Sequence, residues 1–168
     1  MIERTMRTLH EQGHNRKFLV LIDDSPECES SVYFSACRAR NTNSDMLMLF
    51  VVEPEEFQHW ISVGNIQREE GEKKAAAVFR LYGRKLKAWG FDDLNVEEVV
   101  RHGEATEQIE GLIREDQDVA FFVLGASMSQ SGPGRLISWL AGQASGSFPV
   151  PIVLVPQSLT HEEIDALA

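Results

Sequence analysis

Residues 119–135 read VAFFVLGASMSQSGPGR, and the change of character within this stretch sets the kind of fold to expect. Val119–Leu124 is a short, near-continuous apolar run. Strands covered on both faces of a parallel sheet read this way, whereas a half-exposed strand alternates. Gly125-Ala126-Ser127 follows, then Gly132-Pro133-Gly134-Arg135. These are turn residues leading into a helical period that runs from Pro133 to about Ser145 and places Leu136, Ile137, Leu140, Ala141 and Ala144 together. A strand, a glycine-containing loop and a helix in that order make half of a βαβ unit.

Working outward, three more runs share the buried-strand character: Phe18–Ile22, Met46–Val52 and Ile152–Val155. A weaker one, Asn95–Arg101, alternates and carries Glu97 and Glu98, which suits an edge strand. Helical periods lie between them. Ser25-Pro26 reads as a cap followed by proline at the first helical position, and the segment from there to Arg40 puts Val32, Ala36 and Ala39 on one face. From Gln67 to Trp89, residues Ala75, Val78, Tyr82, Leu86 and Trp89 recur at spacings of three and four; Thr106–Glu115 groups Ile109, Leu112 and Ile113. The order β-α-β-α-β-α-β-α-β predicts an α/β protein, a three-layer open parallel five-stranded sheet with right-handed crossovers and helices on both faces. One domain over 16–157 is expected, preceded by a flexible extension (1–15) and followed by an acidic tail (158–168).

A chain of 168 residues suits one domain and can bury enough surface without a staple. Its 26 acidic and 16 basic side chains give a formal charge of −10. Phosphate backbones and anionic lipid would repel such a chain unless its basic residues clustered. The densest basic stretches, Arg16-Lys17 and Arg84-Lys85-Leu86-Lys87, are short, so neither nucleic acid nor a membrane is expected as partner. Cys28 and Cys37 are too few for a disulfide framework and lack metal-ligand spacing. Nine residues apart on one helix they are out of bonding reach, and they read as buried or half-buried thiols. Residues 1–17 contain no apolar segment and no run approaches membrane-spanning length, so a cytoplasmic location is expected.

In an open parallel sheet ligands bind beyond the carboxyl ends of the strands, where the strand order reverses. Strand one ends in Ile22-Asp23-Asp24-Ser25, two carboxylates and a hydroxyl ahead of a helix. At the loop after strand four, glycines allow backbone amides to approach an anion, the helix N-terminus adds positive potential, and Arg135 can add a charge-assisted contact. The alternative is structural: the glycines only turn the chain, and Asp24 or Ser25 only caps a helix.

Taken together, FLVLIDDSP (18–26), LFVV (49–52), Arg101-His102-Gly103-Glu104, Val123-Leu124-Gly125 and PVPIVLVP (149–156) resemble the universal stress protein family. The likeness runs from about Arg16 to Pro156 with the elements in the right order. It implies a Rossmann-like, adenine-nucleotide-hydrolase-like sheet of strand order 3-2-1-4-5, usually assembled as a homodimer through the last strand, here Ile152–Val155. That strand is terminal and apolar, so its edge needs covering. The family's aspartate at the end of strand one falls on Asp23, and its backbone position at the end of strand two falls near Val52.

Nucleotide-binding members carry G-x2-G-x9-G-[ST] after strand four. With Gly125 first, Met128 takes the second glycine's place and Ser138-Trp139 the closing pair's, so one of four positions survives. Gly132 and Gly134 lie inside the spacer, where they can rebuild an anion nest in another register. The residues the resemblance implies for an AMP- or ATP-like adenine nucleotide are therefore Asp23, Asp24, Val52, Gly125, Ser127, Gly132, Gly134, Arg135 and Ser138. ATP affinity is expected to be weak or lost, and no metal is expected.

His10-Glu11-Gln12-Gly13-His14 matches the zinc-protease pattern H-E-x-x-H, but in a polar stretch weakened by Gly13, and is read as a chance match. Glu53–Ile66, with Phe57, His59, Trp60 and Ile61, is long for a connection; it can be a lid, a partner contact, or a loop closing over its own core. No Walker A loop, G-x-G-x-x-G after strand one or H-x-G-H signature is present, nor a convincing nucleophile set at strand ends. The function expected is regulatory and acts by binding rather than catalysis. Two rivals are a ligand-free dimeric interaction module with its crevice filled by Met128 and Trp139, and a slow ATPase drawing on Asp24 and Ser127.

Overall fold

The computed structural model describes residues 6–54 and 61–168, with backbone alone for 61–65. Ten elements alternate along the described residues: β1 (Lys17–Leu21), α1 (Cys28–Asn41), β2 (Asp45–Val52), α2 (Ile61–Ala88), β3 (Val96–His102), α3 (Ala105–Glu115), β4 (Val119–Ala126), α4 (Gly134–Ala141), β5 (Ile152–Pro156) and α5 (His161–Leu167). All strand pairs are parallel, as the alternating pattern predicts, and the sheet order is β3-β2-β1-β4-β5, as the family resemblance implies, with β3 at one edge and β5 at the other.

The period-2 direction of strand side chains sorts the core into two layers. Phe18, Val20 and Ile22 of the first strand segment join Met46, Met48 and Phe50 of β2 against α1, α2 and α5. Leu19 joins Leu47, Leu49, Phe122 and Leu124 against α3 and α4. Leu19 stands opposite Leu47 on one side and Phe122 on the other, at the centre of the second layer. Because β1, β2 and β4 are buried from both faces, nearly every residue in them had to be apolar, which is why they were visible in the sequence.

Several boundaries differ from the sequence expectation for identifiable reasons. Strand β4 continues two residues further, pairing Gly125 with Val155 and Ala126 with Pro156, so Gly125 belongs to the strand and the loop begins at Ser127. Helix α1 starts at Cys28, with Glu27 before it and no side-chain cap. Ser25 and Pro26 form a preceding turn closed by the Cys28 amide donating to the Ser25 carbonyl (3.3 Å). The Ser25 hydroxyl donates instead to Asp23 Oδ1, which removes it as a helix cap. Helix α2 begins at Ile61, ahead of the expected Gln67; Gly64 and the polar stretch Gln67–Lys74 interrupt any periodic apolar face before Ala75. Helix α4 stops at Ala141, where the Gly142 amide closes onto the Ser138 carbonyl (3.0 Å).

Beyond Gln157 the acidic segment forms α5. A reciprocal capping box between Thr160 and Glu163 starts the helix, and Ile164 is wholly buried in the α1–α2 layer. Tyr33 stacks on His161 at a centroid distance of 3.8 Å and donates its hydroxyl proton to Asp165 (2.8 Å). At the other end, the Arg7 guanidinium donates to the carbonyls of Ile113 (2.8 Å) and Asp116 (3.1 Å), tying the described part of the N-terminal segment to α3. His10–Gly13 run through turns rather than a helix, and His14 Nδ1 lies 2.7 Å from Asp118 Oδ1. Both cysteines are buried and unpaired, and burial pushes each thiol up to about 11, which keeps them protonated near neutrality. Among the described residues no helix is long and apolar enough to cross a membrane.

Candidate functional site

The strand order reverses at β1, whose neighbours β2 and β4 lead away in opposite directions, and a crevice opens beyond the carboxyl ends of these strands. It has two adjoining lobes that share part of their walls. The larger, about 430 Å³, has Leu21, Val51, Ala105, Leu136 and Trp139 as its apolar walls, and Asp23, Glu53, Glu104 and Arg135 as its charged groups. The smaller, about 170 Å³, lies between β4 and the first turn of α4 and is bounded by Gly125, Pro133, Gly134 and Arg135, with Asp23 and Glu27 opposite. Leu21, Asp23, Arg135 and Leu136 belong to both, so Asp23 and Arg135 stand at the junction.

Strand β1 delivers Asp23 to that junction. Its Oδ1 accepts from the Ser25 amide (2.8 Å) and from the Ser25 hydroxyl, fixing the carboxylate in an Asx turn. Asp24 turns the other way, toward α2, where Lys74 Nζ lies 2.9 Å from Oδ2; that hydrogen bond holds the Asp24 carboxyl below its ordinary range. Asp24 lines neither lobe.

Val52 is displaced by the same alternation. Its side chain lies on the α2 face against Gly71, where a Cβ on the glycine would collide with it. Its carbonyl accepts from the Gly103 amide (3.0 Å). The neighbours of Val52, Val51 and Glu53, face the crevice in its place.

Gly125 lines the small lobe, and its lack of a side chain has a cause within the fold. A Cβ there would strike the backbone carbonyl of Glu27, so the glycine is what lets β4 pass the turn before α1. Gly134 opens α4 in the left-handed region (φ +84) and borders the same lobe, as does Arg135. The rest of the loop faces away. Ser127 Oγ accepts from the Ser129 amide (3.0 Å), and the Gly132 amide donates to Ser129 O (3.4 Å). Ser138 is exposed on α4. None of Ser127, Gly132 and Ser138 lines either lobe. Of the nine candidates, Asp23, Gly125, Gly134 and Arg135 come together, and the other five do not.

Met128 is 66 % exposed, with its amide donating to Gln157 Oε1 (2.9 Å), so it does not enter the crevice. Trp139 forms a wall of the large lobe, packed edge-on against Phe148 at 6.3 Å and 82°. The space beside Asp23 is open.

Three charged residues in the crevice, Glu27, Glu53 and Glu104, had no role assigned from sequence. Glu53 Oε1 accepts from the Ala105 amide (3.0 Å), and Glu104 caps α3 by accepting from the Glu107 amide (3.1 Å). Both carboxylates therefore lie on the N-terminal amides of α3, where the helix end favours negative charge. Glu104 is held below the usual carboxylate range by the Thr106 hydroxyl first, then by backbone amides and the positive field of Arg135, against an opposing contribution from burial. A glutamate directly before a helical period is a legible cap signal, but nothing local shows that the cap faces a crevice. The segment read as a lid, a partner contact or a loop closing over its own core includes residues 55–60, which lie outside the described residues; from Ile61 on it is α2. No group of three or more His, Cys, Asp or Glu among the described residues is placed to hold a metal ion.

Comparison with known proteins agrees with this architecture. The model of the universal stress protein family matches residues 14–156. Among solved structures, a universal stress protein UspA from Lactobacillus plantarum superposes with a TM-score of 0.68 at 16 % identity, covering 86 % of this chain and 99 % of its own. A universal stress protein in complex with cAMP gives 0.62 at 17 % identity over 87 % and 100 % of the two chains. A family protein from Arabidopsis thaliana with AMP bound gives 0.53 at 13 % identity over 84 % and 91 %. No curated protein sequence matches significantly. With the family model spanning β1 to β5 and the sheet order as described, the chain belongs to the universal stress protein family.

Proposed function

We propose that the protein is a regulatory stress-response protein that works by binding an adenine nucleotide in the crevice beside Asp23, with weak affinity for ATP, and that it does no catalysis. The observation that carries this reading is the open two-lobed crevice at the switch point, apolar in one lobe and bounded by a helix N-terminus and Arg135 in the other. Its larger lobe falls within the size range of small-molecule sites. The nucleobase packs between Leu136, Val51 and Trp139, the ribose hydroxyls donate to Asp23, and one phosphate lies at Gly134 and Arg135. The cAMP and AMP complexes of two structural neighbours support the ligand class. Weak ATP affinity is in keeping with Met128 and Trp139 standing where the binding motif has glycine and a hydroxyl.

A ligand-free module with a plugged crevice needs Met128 inside it, and its exposure speaks against that. Assembly is proposed as a homodimer through β5, an edge strand whose Leu154 is 42 % exposed in the single chain. Equilibrium dialysis with AMP tests the binding reading. Micromolar binding that weakens about tenfold in Asp23→Ala and in Arg135→Ala is expected, since a lost charge-assisted hydrogen bond is worth that much. No AMP binding by the wild-type chain would end it.

A further inference from the structure

Resting on the reading of the crevice as a nucleotide site, we infer that Glu27 and Glu104 are specificity-determining residues that restrict its ligand to a nucleoside carrying at most one phosphate. The two lobes together are lined by Asp23, Glu27, Glu53 and Glu104, while Arg135 is their one cation among the described residues. Arg135 stands at the junction, so the first phosphate is matched wherever the base lies. Within the crevice, each lobe has a glutamate in its wall beyond Arg135. A second phosphate kept in the small lobe approaches Glu27, in a space of about 170 Å³. One turned back into the large lobe approaches Glu104, whose carboxylate already feels the Arg135 charge.

The N-terminus of α3 offers no relief. Its amides are already met from within the chain, by Glu53 at Ala105 and by Glu104 at Glu107. The chain's own negative charge sits where a further phosphate could otherwise have docked. Like charges brought together in a partly desolvated crevice are costly enough to exclude a ligand. Selection here comes from carboxylates in the crevice, a cause separate from the replaced loop positions, and substitution can tell the two apart.

Calorimetric titration with adenosine, AMP, ADP and ATP at fixed ionic strength, with EDTA present, is the test. ATP is expected to bind at least about tenfold more weakly than AMP, with ADP between. In Glu27→Gln/Glu104→Gln, where the side-chain amide oxygen at position 104 can still accept at the α3 cap, the ATP-to-AMP ratio should shrink to within about threefold. Amide NMR spectra of this variant verify that it folds. Equal affinity for ATP and AMP in the wild type would overturn the inference and leave the nucleotide site standing. An unchanged ratio in the folded variant would overturn it too, pointing to the loop instead. Failure of all four ligands to bind would take down both readings.

Discussion

Gly125 of β4 passes so close to the turn before α1 that a Cβ on it would collide with the carbonyl oxygen of Glu27. The obstacle is backbone, not the end of a flexible side chain, so neither strand nor turn can yield cheaply. Gly125→Ala should destabilise the protein by about 1–3 kcal/mol, the usual cost of overpacking. Urea unfolding checks this; a change within about 0.5 kcal/mol would mean the two segments are free to separate.

Asp23 and Asp24 are neighbours with opposite fates. Asp24→Asn breaks only an exposed pair with Lys74 and should change stability by about 0.5 kcal/mol or less without altering AMP affinity. Asp23→Asn should weaken AMP binding clearly. Dialysis of the two variants in parallel decides the matter, and equal effects would contradict the placement of Asp24 on the α2 side.

Acid should erode the α3 cap. Glu104 is depressed in the folded state from an ordinary 4.5, chiefly by the Thr106 hydroxyl. A depressed carboxylate contributes stability that is present above its unfolded value and is lost as pH falls through the folded one. The stability gap between wild type and Glu104→Gln should therefore be seen at pH 7 and narrow in acid, as pH falls below the ordinary 4.5. Urea midpoints at the two pH values measure it, and a gap that widens in acid would contradict the sign.

Helix α5 is structural. Ile164 is fully buried against the α1–α2 layer, so Ile164→Ala should cost about 2–5 kcal/mol. Thermal unfolding reads this directly; an unchanged midpoint would mean that the helix detaches freely.

The β5 edge yields a prediction about assembly. Wild-type protein should sediment as a dimer at micromolar concentration, and Leu154→Lys should sediment as a monomer, since a charge placed on an edge strand blocks pairing. A monomeric wild type would contradict the proposed interface.

The parts of this molecule legible in its sequence are those whose side chains answer to one constraint. β1, β2 and β4 are enclosed from both faces, so their apolar runs announced a parallel sheet, and the charged alternation of β3 announced an edge. The crevice was legible only in part, because its residues come from strand ends far apart in the chain. Asp23 and Arg135 were identified by their place after a strand and at a helix start. Val52 was named for its backbone at the end of strand two; its carbonyl accepts from the Gly103 amide, and the side chains that line the crevice there are those of Val51 and Glu53. Glu53 and Glu104 went unassigned because each looks locally like an ordinary loop or cap residue. Only the fold brings them to Arg135.

The central claim, that an adenine nucleotide occupies the crevice between Asp23 and Arg135, is tested most directly by following amide and indole NMR signals during AMP titration. The Trp139 indole, the Gly134 and Arg135 amides and the Asp23–Ser25 turn should shift together and saturate with one micromolar constant. Signals that stay fixed at these positions, or that move only elsewhere on the chain, would contradict it.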